Sequence, residues 1–312
     1  MTTDSKGGTT RRRVLECMSW GSAGILWTVA GGVPVARTLD AAPGHAALAE
    51  AGAFSFVQVS DSHIGFTKDP NPTPDATLRE ALGKIAAMPD RPAFMVHTGD
   101  VSHLSKPSEL EAASAIMKAA ALETFYVPGE HETIGDDGKE FFSRFAPRAA
   151  QPGGWYSFDQ GGIHFIGLVN VVNLKPGGLG YLGPDQLQWL AKDTKGLSAS
   201  TPIVVLAHMP LWALYPEWGW GTDDAAQALG ALRRFGSVTV LNGHIHQVLQ
   251  KVEGNVSFQT ARSTAFPQPA PGVGPGPMPM QIAADKLRTT LGIRKIDFIG
   301  TKLAISDRAL ES

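Results

Sequence analysis

The chain has 312 residues, 43% of them apolar and 18% charged, which is enough to bury a full core and excludes disorder as its main state. Its 27 basic and 29 acidic side chains leave a formal net charge of -2, so no global field recruits nucleic acid or an acidic membrane. A single cysteine, Cys17, excludes an intramolecular disulfide framework and a thiolate zinc knuckle, so if the chain binds metal at all, the nine histidines and the carboxylates would hold it.

In chain order, Arg11-Arg12-Arg13-Val14-Leu15 comes first, followed by a charge-free apolar run from Cys17 to about Ala36. A charged segment, an apolar segment and small residues form the pattern of an export signal. Arg11-Arg12 with Val14-Leu15 resembles a twin-arginine (Tat) signal, although Glu16 stands where a basic residue is often found. That resemblance implies the Tat export machinery as a partner, folding before export, and a periplasmic or extracellular location. The run holds four glycines with Ser and Thr, which weakens it as a spanning helix, so no stable membrane span is expected in the mature protein. An uncleaved N-terminal anchor is the bland alternative. Residues 1–48 are read as export signal and linker, and 49–312 as one folded domain.

Beyond residue 53 the pattern alternates. A β-branched and aromatic strand is expected over 54–60 and an amphipathic helix over 75–88, with Leu78, Leu82 and Ile85 on one face. A strand over 93–98 and a helix opened by Pro107 come next, then a strand over 124–127 and a short helix over 138–145. Segments 155–158 and 163–168 flank Asp159-Gln160-Gly161-Gly162, a hairpin signal. A helix over 184–194, a strand over 203–207, a helix over 223–235 and a strand over 238–241 continue the alternation. A second hairpin turns at Glu253-Gly254-Asn255, residues 267–280 form a loop with six prolines and three glycines, and strands near 293–298 and 302–306 close the chain. The expected class is α/β, with mixed sheets and helices outside them.

Five short signals fall at the carboxyl ends of expected strands: Asp61-Ser62-His63, Gly99-Asp100, Gly129-Glu130-His131-Glu132, His208, and Gly243-His244-Ile245-His246. Open α/β sheets place their ligands at such ends. Asp61 and His63 lie two residues apart, as do His244 and His246, so each pair can face one ion from an extended segment. Carboxylates and imidazoles without thiols suit Mn, Fe or Zn better than soft Cu(I).

The ordered set resembles the calcineurin-like metallophosphoesterase superfamily, with its D-x-H, G-D, G-N-H-[DE], H and G-H-x-H blocks, from 54 to about 252. The resemblance implies a metallophosphoesterase domain folded as a four-layer α/β/β/α sandwich of two mixed β-sheets flanked by helices, with two metal ions between the sheet ends. It assigns Asp61, His63 and His246 to one ion, His208, His244 and Glu130 to the other, and Asp100 to both. It places His131 at the leaving group, with Glu132 as its orienting partner. It implies hydrolysis of a small-molecule phosphomonoester or phosphodiester through a metal-activated hydroxide. A metal-binding protein without turnover is the opposing class.

Two positions depart from the family. Glu130 replaces Asn and adds a negative charge, which puts activity rather than fold in doubt; the alternative is a tolerated variant in which Glu acts simply as an oxygen ligand. His103 stands three residues after Asp100, where the purple acid phosphatases of the same superfamily carry a metal-binding Tyr; it could reach a metal or a substrate oxygen, or be a hydrogen-bonded loop residue. Residues 211–222 hold Trp212, Tyr215, Trp218 and Trp220, and Trp218 and Trp220 are candidate substrate contacts, with an aromatic plug as the alternative. His97 and His164 are expected in the core or between sheets. The glycines near 272–276 follow no clear strand and lack a Gly-Lys-Ser/Thr ending, so no nucleotide loop is read there.

Overall fold

Among the residues that the computed structural model describes, which are 25–30, 33–38, 54–146, 153–299 and 302–311, thirteen strands and six α-helices follow one another. Strands β1 (Ile25–Ala30) and β2 (Val33–Thr38) pair antiparallel, with Ile25 opposite Thr38. The arginine pair, Cys17 and, apart from β1 and β2, the remainder of the segment read as export signal and linker lie outside the described residues. Then come β3 (Phe54–Val59), α1 (Pro74–Ala86), β4 (Met95–His97), α2 (Pro107–Lys118), β5 (Thr124–Tyr126) and α3 (Lys139–Phe145). They are followed by β6 (Tyr156–Gln160), β7 (Ile163–Gly167), α4 (Pro184–Thr194), β8 (Ile203–Leu206), α5 (Ala225–Leu232) and β9 (Val238–Asn242). The chain closes with β10 (Gln250–Glu253), β11 (Val256–Thr260), α6 (Ala284–Thr290), β12 (Gly292–Ile299) and β13 (Lys302–Ala309). It divides into two compact units; every expected site residue lies in the larger, Phe54–Asp297 with Ile305–Ser312, and the β1–β2 hairpin lies in the smaller.

Proline sets the start of α1, α2 and α4, where Pro74, Pro107 and Pro184 occupy the first turn, lose no helical bond and bring a helical φ. The apolar face expected for α1 is the buried one: Leu78, Leu82 and Ile85. In the first expected hairpin β6 and β7 meet at Gly161-Gly162, whose φ values of 60° and 80° fit the left-handed turn that a two-residue connection needs. Two elements were not anticipated: β1–β2, and α6, which buries only Leu287.

The strands form a five-stranded sheet, ordered β13-β12-β3-β4-β5, and a six-stranded sheet, ordered β10-β11-β9-β8-β7-β6. Strands β3, β4 and β5 run parallel, as do β7, β8, β9 and β11, while β6 and β10 are antiparallel edges. Leu78, Leu110, Phe141 and Leu287 pack α1, α2, α3 and α6 with Val57, Val59 and Met95 of the first sheet. Leu190, Ala228 and Leu232 pack α4 and α5 with Ile166, Val205 and Val240 of the second. The architecture is therefore the expected two mixed sheets flanked by helices. Leu78 and Leu110 are fully buried, and truncating either to Ala should cost roughly 2–5 kcal/mol.

The seam between the sheets changes character along the strands. Phe56 stacks on Phe94 at 4.9 Å, and Phe165 from the opposite sheet meets both edge-on at 5.4 and 5.3 Å. Toward the carboxyl ends of the strands the seam turns polar. The side-chain amide of Gln58 donates to Thr98 Oγ1 at 3.0 Å and across the seam to the Asn242 carbonyl at 3.1 Å. Fully buried Arg294 pairs through two nitrogens with Asp307 at 2.8 and 3.0 Å and donates to the Thr260 carbonyl at 2.8 Å. A buried guanidinium is tolerated because its charge and its donors both find partners.

Candidate metal centre

Each of the five sequence signals follows a parallel strand: Asp61 and His63 follow β3, Asp100 follows β4, Glu130 follows β5, His208 follows β8, and His244 and His246 follow β9. The loops are laced side by side. Asp61, His63 and Ile64 donate their amides to the carbonyls of Gly99, Asp100 and Val101 at 2.9–3.0 Å. Five of these residues hold the left-handed backbone region: Asp61 (φ 53°), His63 (41°), Asp100 (52°), His244 (68°) and His246 (57°). That conformation costs a non-glycine residue roughly 1–2 kcal/mol, and it persists only where surrounding bonds over-determine it. Gly129 lies so close to Asp100 that a Cβ there would run into its carboxylate and amide.

The side chains converge in two adjoining groups. Asp61, His63, Asp100 and His246 offer ligand atoms within 4.8 Å of one another, and so do Glu130, His208 and His244. Asp100 links them: its Oδ2 lies 3.5 Å from His63 Nε2 and 3.3 Å from His208 Nε2. Glu130 spans the second group, with Oε2 2.9 Å from His208 Nε2 and Oε1 3.0 Å from His244 Nδ1. All seven residues named for metal are thus brought together.

Tautomers follow from the partners. A carbonyl only accepts, so Nδ1–H of His208 donates to Thr98 O at 2.7 Å and Nδ1–H of His246 donates to Phe266 O at 2.6 Å. A neutral ring then has a bare Nε2. Those nitrogens face carboxylate oxygens and one further ring nitrogen: His208 Nε2 faces Glu130 and Asp100, and His246 Nε2 lies 3.4 Å from Asp61 Oδ1 and 3.2 Å from His63 Nε2. Lone pair against lone pair is repulsive, so the arrangement requires positive charge between the groups. Asp61 Oδ2 and His244 Nε2 are also buried without a hydrogen-bond partner. Nitrogen and oxygen donors without sulfur, rigidly preset, fit two borderline cations.

The electrostatics express the same demand. Burial pushes the Asp61 carboxyl up, but His246 and His208 outweigh it and hold it at about 2. Burial likewise opposes ionisation of Glu130, yet His244 and His208 hold it well below the usual carboxylate range. His208 is pulled down by burial and carried well above the ordinary imidazole value by Asp100 and Glu130. His131 follows the same balance: burial lowers it, Asp100 and Glu130 raise it, and it reaches about 9.

His131 lies beside the first group, edge-on to His63 at 4.7 Å, and its amide donates to Asp100 Oδ1 at 3.2 Å. Its orienting partner differs from the expectation. The ring Nδ1 bonds to the carbonyl of His103, while Glu132 turns inward, fully buried, and accepts from Ser102 N, Ser102 Oγ and Gly129 N, each at 2.9 Å. Glu132 therefore braces the two loops that carry Asp100 and Glu130. The cause is the 3-10 turn over Glu130–Thr133, in which adjacent side chains diverge. Trp220 is also corrected: it is 0% exposed, so it is a plug and not a substrate contact. Half-buried Trp218 meets Tyr215 and Trp220 edge-on at 5.2 and 5.1 Å, within its own loop. His97 is buried, faces Ser62 Oγ at 2.9 Å and is pushed down to about 4 by burial. His164 lies between Asp159 and Asp193, at 2.8 and 2.9 Å.

Sequence reasoning missed several contributors. Ser263 Oγ donates to the Asp61 carbonyl at 2.7 Å, and Phe266 stacks on His63 at 4.7 Å while supplying the carbonyl that fixes His246. Both follow the end of β11, so the strand-end rule that found the ligands would have found Ser263. The carbonyls of Thr98 and Phe266 carry no side-chain signature.

The profile of the calcineurin-like phosphoesterase family matches residues 54–248. A probable cyclic nucleotide phosphodiesterase of Rhodococcus erythropolis is 26% identical over 225 residues, 68% of this chain and 71% of that protein. Among solved structures, a dimetal phosphatase from Danio rerio superposes with a TM-score of 0.63 at 14% identity, over 82% of this chain and 96% of that one. A purple acid phosphatase from yellow lupin seeds gives 0.60 at 12% identity, over 90% and 55%. GAP50, the anchor in the inner membrane complex of Plasmodium, gives 0.55 at 13% identity, over 83% and 85%. These structural likenesses establish the fold.

Proposed function

The chain belongs to the calcineurin-like phosphoesterase family, and from that premise we propose that it is an exported hydrolase of small phosphoesters, using two metal ions and favouring a diester monoanion over a monoester dianion. The observation that carries this reading is the convergence of imidazole nitrogens and carboxylate oxygens in two groups joined by Asp100. Asp61, His63 and His246 would hold one ion, Glu130, His208 and His244 the other, and Asp100 both. Such ions, when bound, acidify a water and neutralise phosphoryl oxygens during in-line displacement.

The residues of the chain supply the rest. His131 is anchored through Nδ1, which leaves Nε2 to carry a proton. As the ester P–O bond breaks, that proton passes to the departing oxygen. Glu132 fixes the backbone of both loops around Asp100 and Glu130, so the ligands need no rearrangement during reaction. Preference for a diester follows from Glu130, whose added charge opposes a dianion more than a monoanion. The Rhodococcus relative described as a probable cyclic nucleotide phosphodiesterase supports the same substrate class. Export is proposed on the Arg11-Arg12 pair and the apolar run behind it.

The test is turnover of matched aryl phosphodiester and phosphomonoester by protein stripped with chelator and reloaded with Mn²⁺, Zn²⁺ or Fe. Restored diester hydrolysis supports the reading. A protein that refills with two ions and hydrolyses neither ester is instead a metal-binding protein on this fold, the reading that the extra Glu130 carboxylate favours.

A further inference from the structure

We propose that His103 is a positioning residue that orients the ligand His63, so that one loop position sets both the first metal site and the proton donor. The inference rests on the metal reading above. His63 lies 2% exposed with Nε2 directed at the centre, 3.5 Å from Asp100 Oδ2 and 3.2 Å from His246 Nε2. A ligand that binds through Nε2 keeps its proton on Nδ1 and must donate it. The partner facing that atom is His103 Nδ1, at 3.4 Å. His103 must then accept through Nδ1 and carry its own proton on Nε2.

The rest of the loop holds His103 in place for this role. Its amide donates to the Ile64 carbonyl at 2.9 Å, one residue beyond His63, so the two loops are tied where the rings meet. Phe66 closes edge-on against its ring at 5.1 Å, and the ring of His131 stacks on it at 5.0 Å and 23°. The His103 carbonyl, meanwhile, anchors His131 Nδ1. Side chain and backbone of one residue thus serve different neighbours: the ring serves the ligand, the carbonyl the acid. A neutral imidazole accepting from His63 Nδ1 leaves the ligand less electron-rich than a carboxylate would, and adds no charge to a centre that already has Glu130.

Two variants separate this role from simple loop packing. His103→Asn keeps an acceptor near the position of Nδ1, and His103→Leu keeps bulk without one. The readout is stepwise chelator competition on the purified full chain, which reports the affinity of each bound ion without reference to activity. His103→Leu should weaken one of the two ions by about 10–100-fold and leave the other near its original affinity. His103→Asn should recover most of that loss. In both variants the leaving-group dependence attributed to His131 should persist, because its anchor is backbone. Melting curves of the metal-free variants establish that each is folded. Equal affinities for both ions in wild type and His103→Leu, or equal losses in the Leu and Asn variants, would overturn the proposal. A wild-type chain that binds no ions would instead remove the metal reading beneath it.

Discussion

Nε2 of His208 lies 2.9 Å from Oε2 of Glu130, while its Nδ1–H is committed to the Thr98 carbonyl at 2.7 Å. The ring therefore cannot turn away from Glu130, and a bare Nε2 this close to a carboxylate oxygen is held only by positive charge between the two. Glu130 also reaches His244, so it lies in one cluster with His208 and His244.

Replacing Glu130 by Asn removes one negative charge from that site. A unit charge about 5 Å away acts on each substrate charge with about 3 kcal/mol at an effective dielectric of about 20, before screening. The dianionic monoester feels this twice over. The one-charge difference between the esters is then about 10²-fold unscreened, so with solvent screening Glu130→Asn should raise the monoester-to-diester ratio of kcat/KM by about 10–100-fold, and it should reduce retention of Fe³⁺ relative to Zn²⁺. Kinetics on matched aryl esters with metal analysis check both, and an unchanged ratio and metal preference would show that Glu130 does not coordinate.

His131→Ala should lower turnover by about 10²–10⁴-fold while metal content stays intact. The loss should shrink for esters whose leaving groups are acidic enough to depart without a proton. A uniform loss across leaving groups would assign His131 to phosphate positioning, and a loss of metal would make it a ligand.

The clustered positions were legible because chemistry-bearing residues follow buried strands rich in Val, Phe, Ile and Leu, as at β3, β8 and β9. Helix α1 was legible from its spacing of Leu78, Leu82 and Ile85. Helix α6 was not, since Ala284-Asp285-Lys286-Leu287-Arg288-Thr289-Thr290 is polar around one buried leucine. Glu132 misled because adjacency to His131 suggests partnership, whereas a tight turn sends the two side chains apart. Trp220 misled because an aromatic-rich loop reads the same whether its rings plug a core or line a site. Arg294 left no signal: an arginine in a strand usually faces water, and only the folded chain reveals its partners, Asp307 on the neighbouring strand β13 and the Thr260 carbonyl from the opposite sheet.

His164 offers a measurement away from the metal centre. Burial lowers its pKa, but its bonds to Asp193 and Asp159 outweigh that and raise it above the ordinary value. A raised folded-state value means that the stabilisation is fully present below the unfolded value, about pH 6.5, and is lost as pH climbs through the folded one. Exposure of Asp159 limits the effect to about 1 kcal/mol, or about 2–4 °C in Tm for a domain of this size. In metal-free protein the Tm gap between wild type and His164→Leu should be wider at pH 5.5 than at pH 9.5. A gap independent of pH would mean that His164 stays neutral throughout.

Export is tested by Arg11→Lys with Arg12→Lys, which keeps the charge and changes the recognised pair. The doubly substituted precursor should remain inside the cell. Its appearance outside would replace the Tat reading with another export route or an N-terminal anchor.

The central claim is that Asp100 joins two ions in one centre. Metal content per chain, measured on protein purified by its native route and on Asp100→Asn, tests it most directly. The account predicts close to two ions per chain in wild type and loss of tight binding at both sites in the variant, since the carboxylate whose Oδ2 lies within reach of both His63 and His208 loses its charge. Two tightly held ions in Asp100→Asn would contradict it.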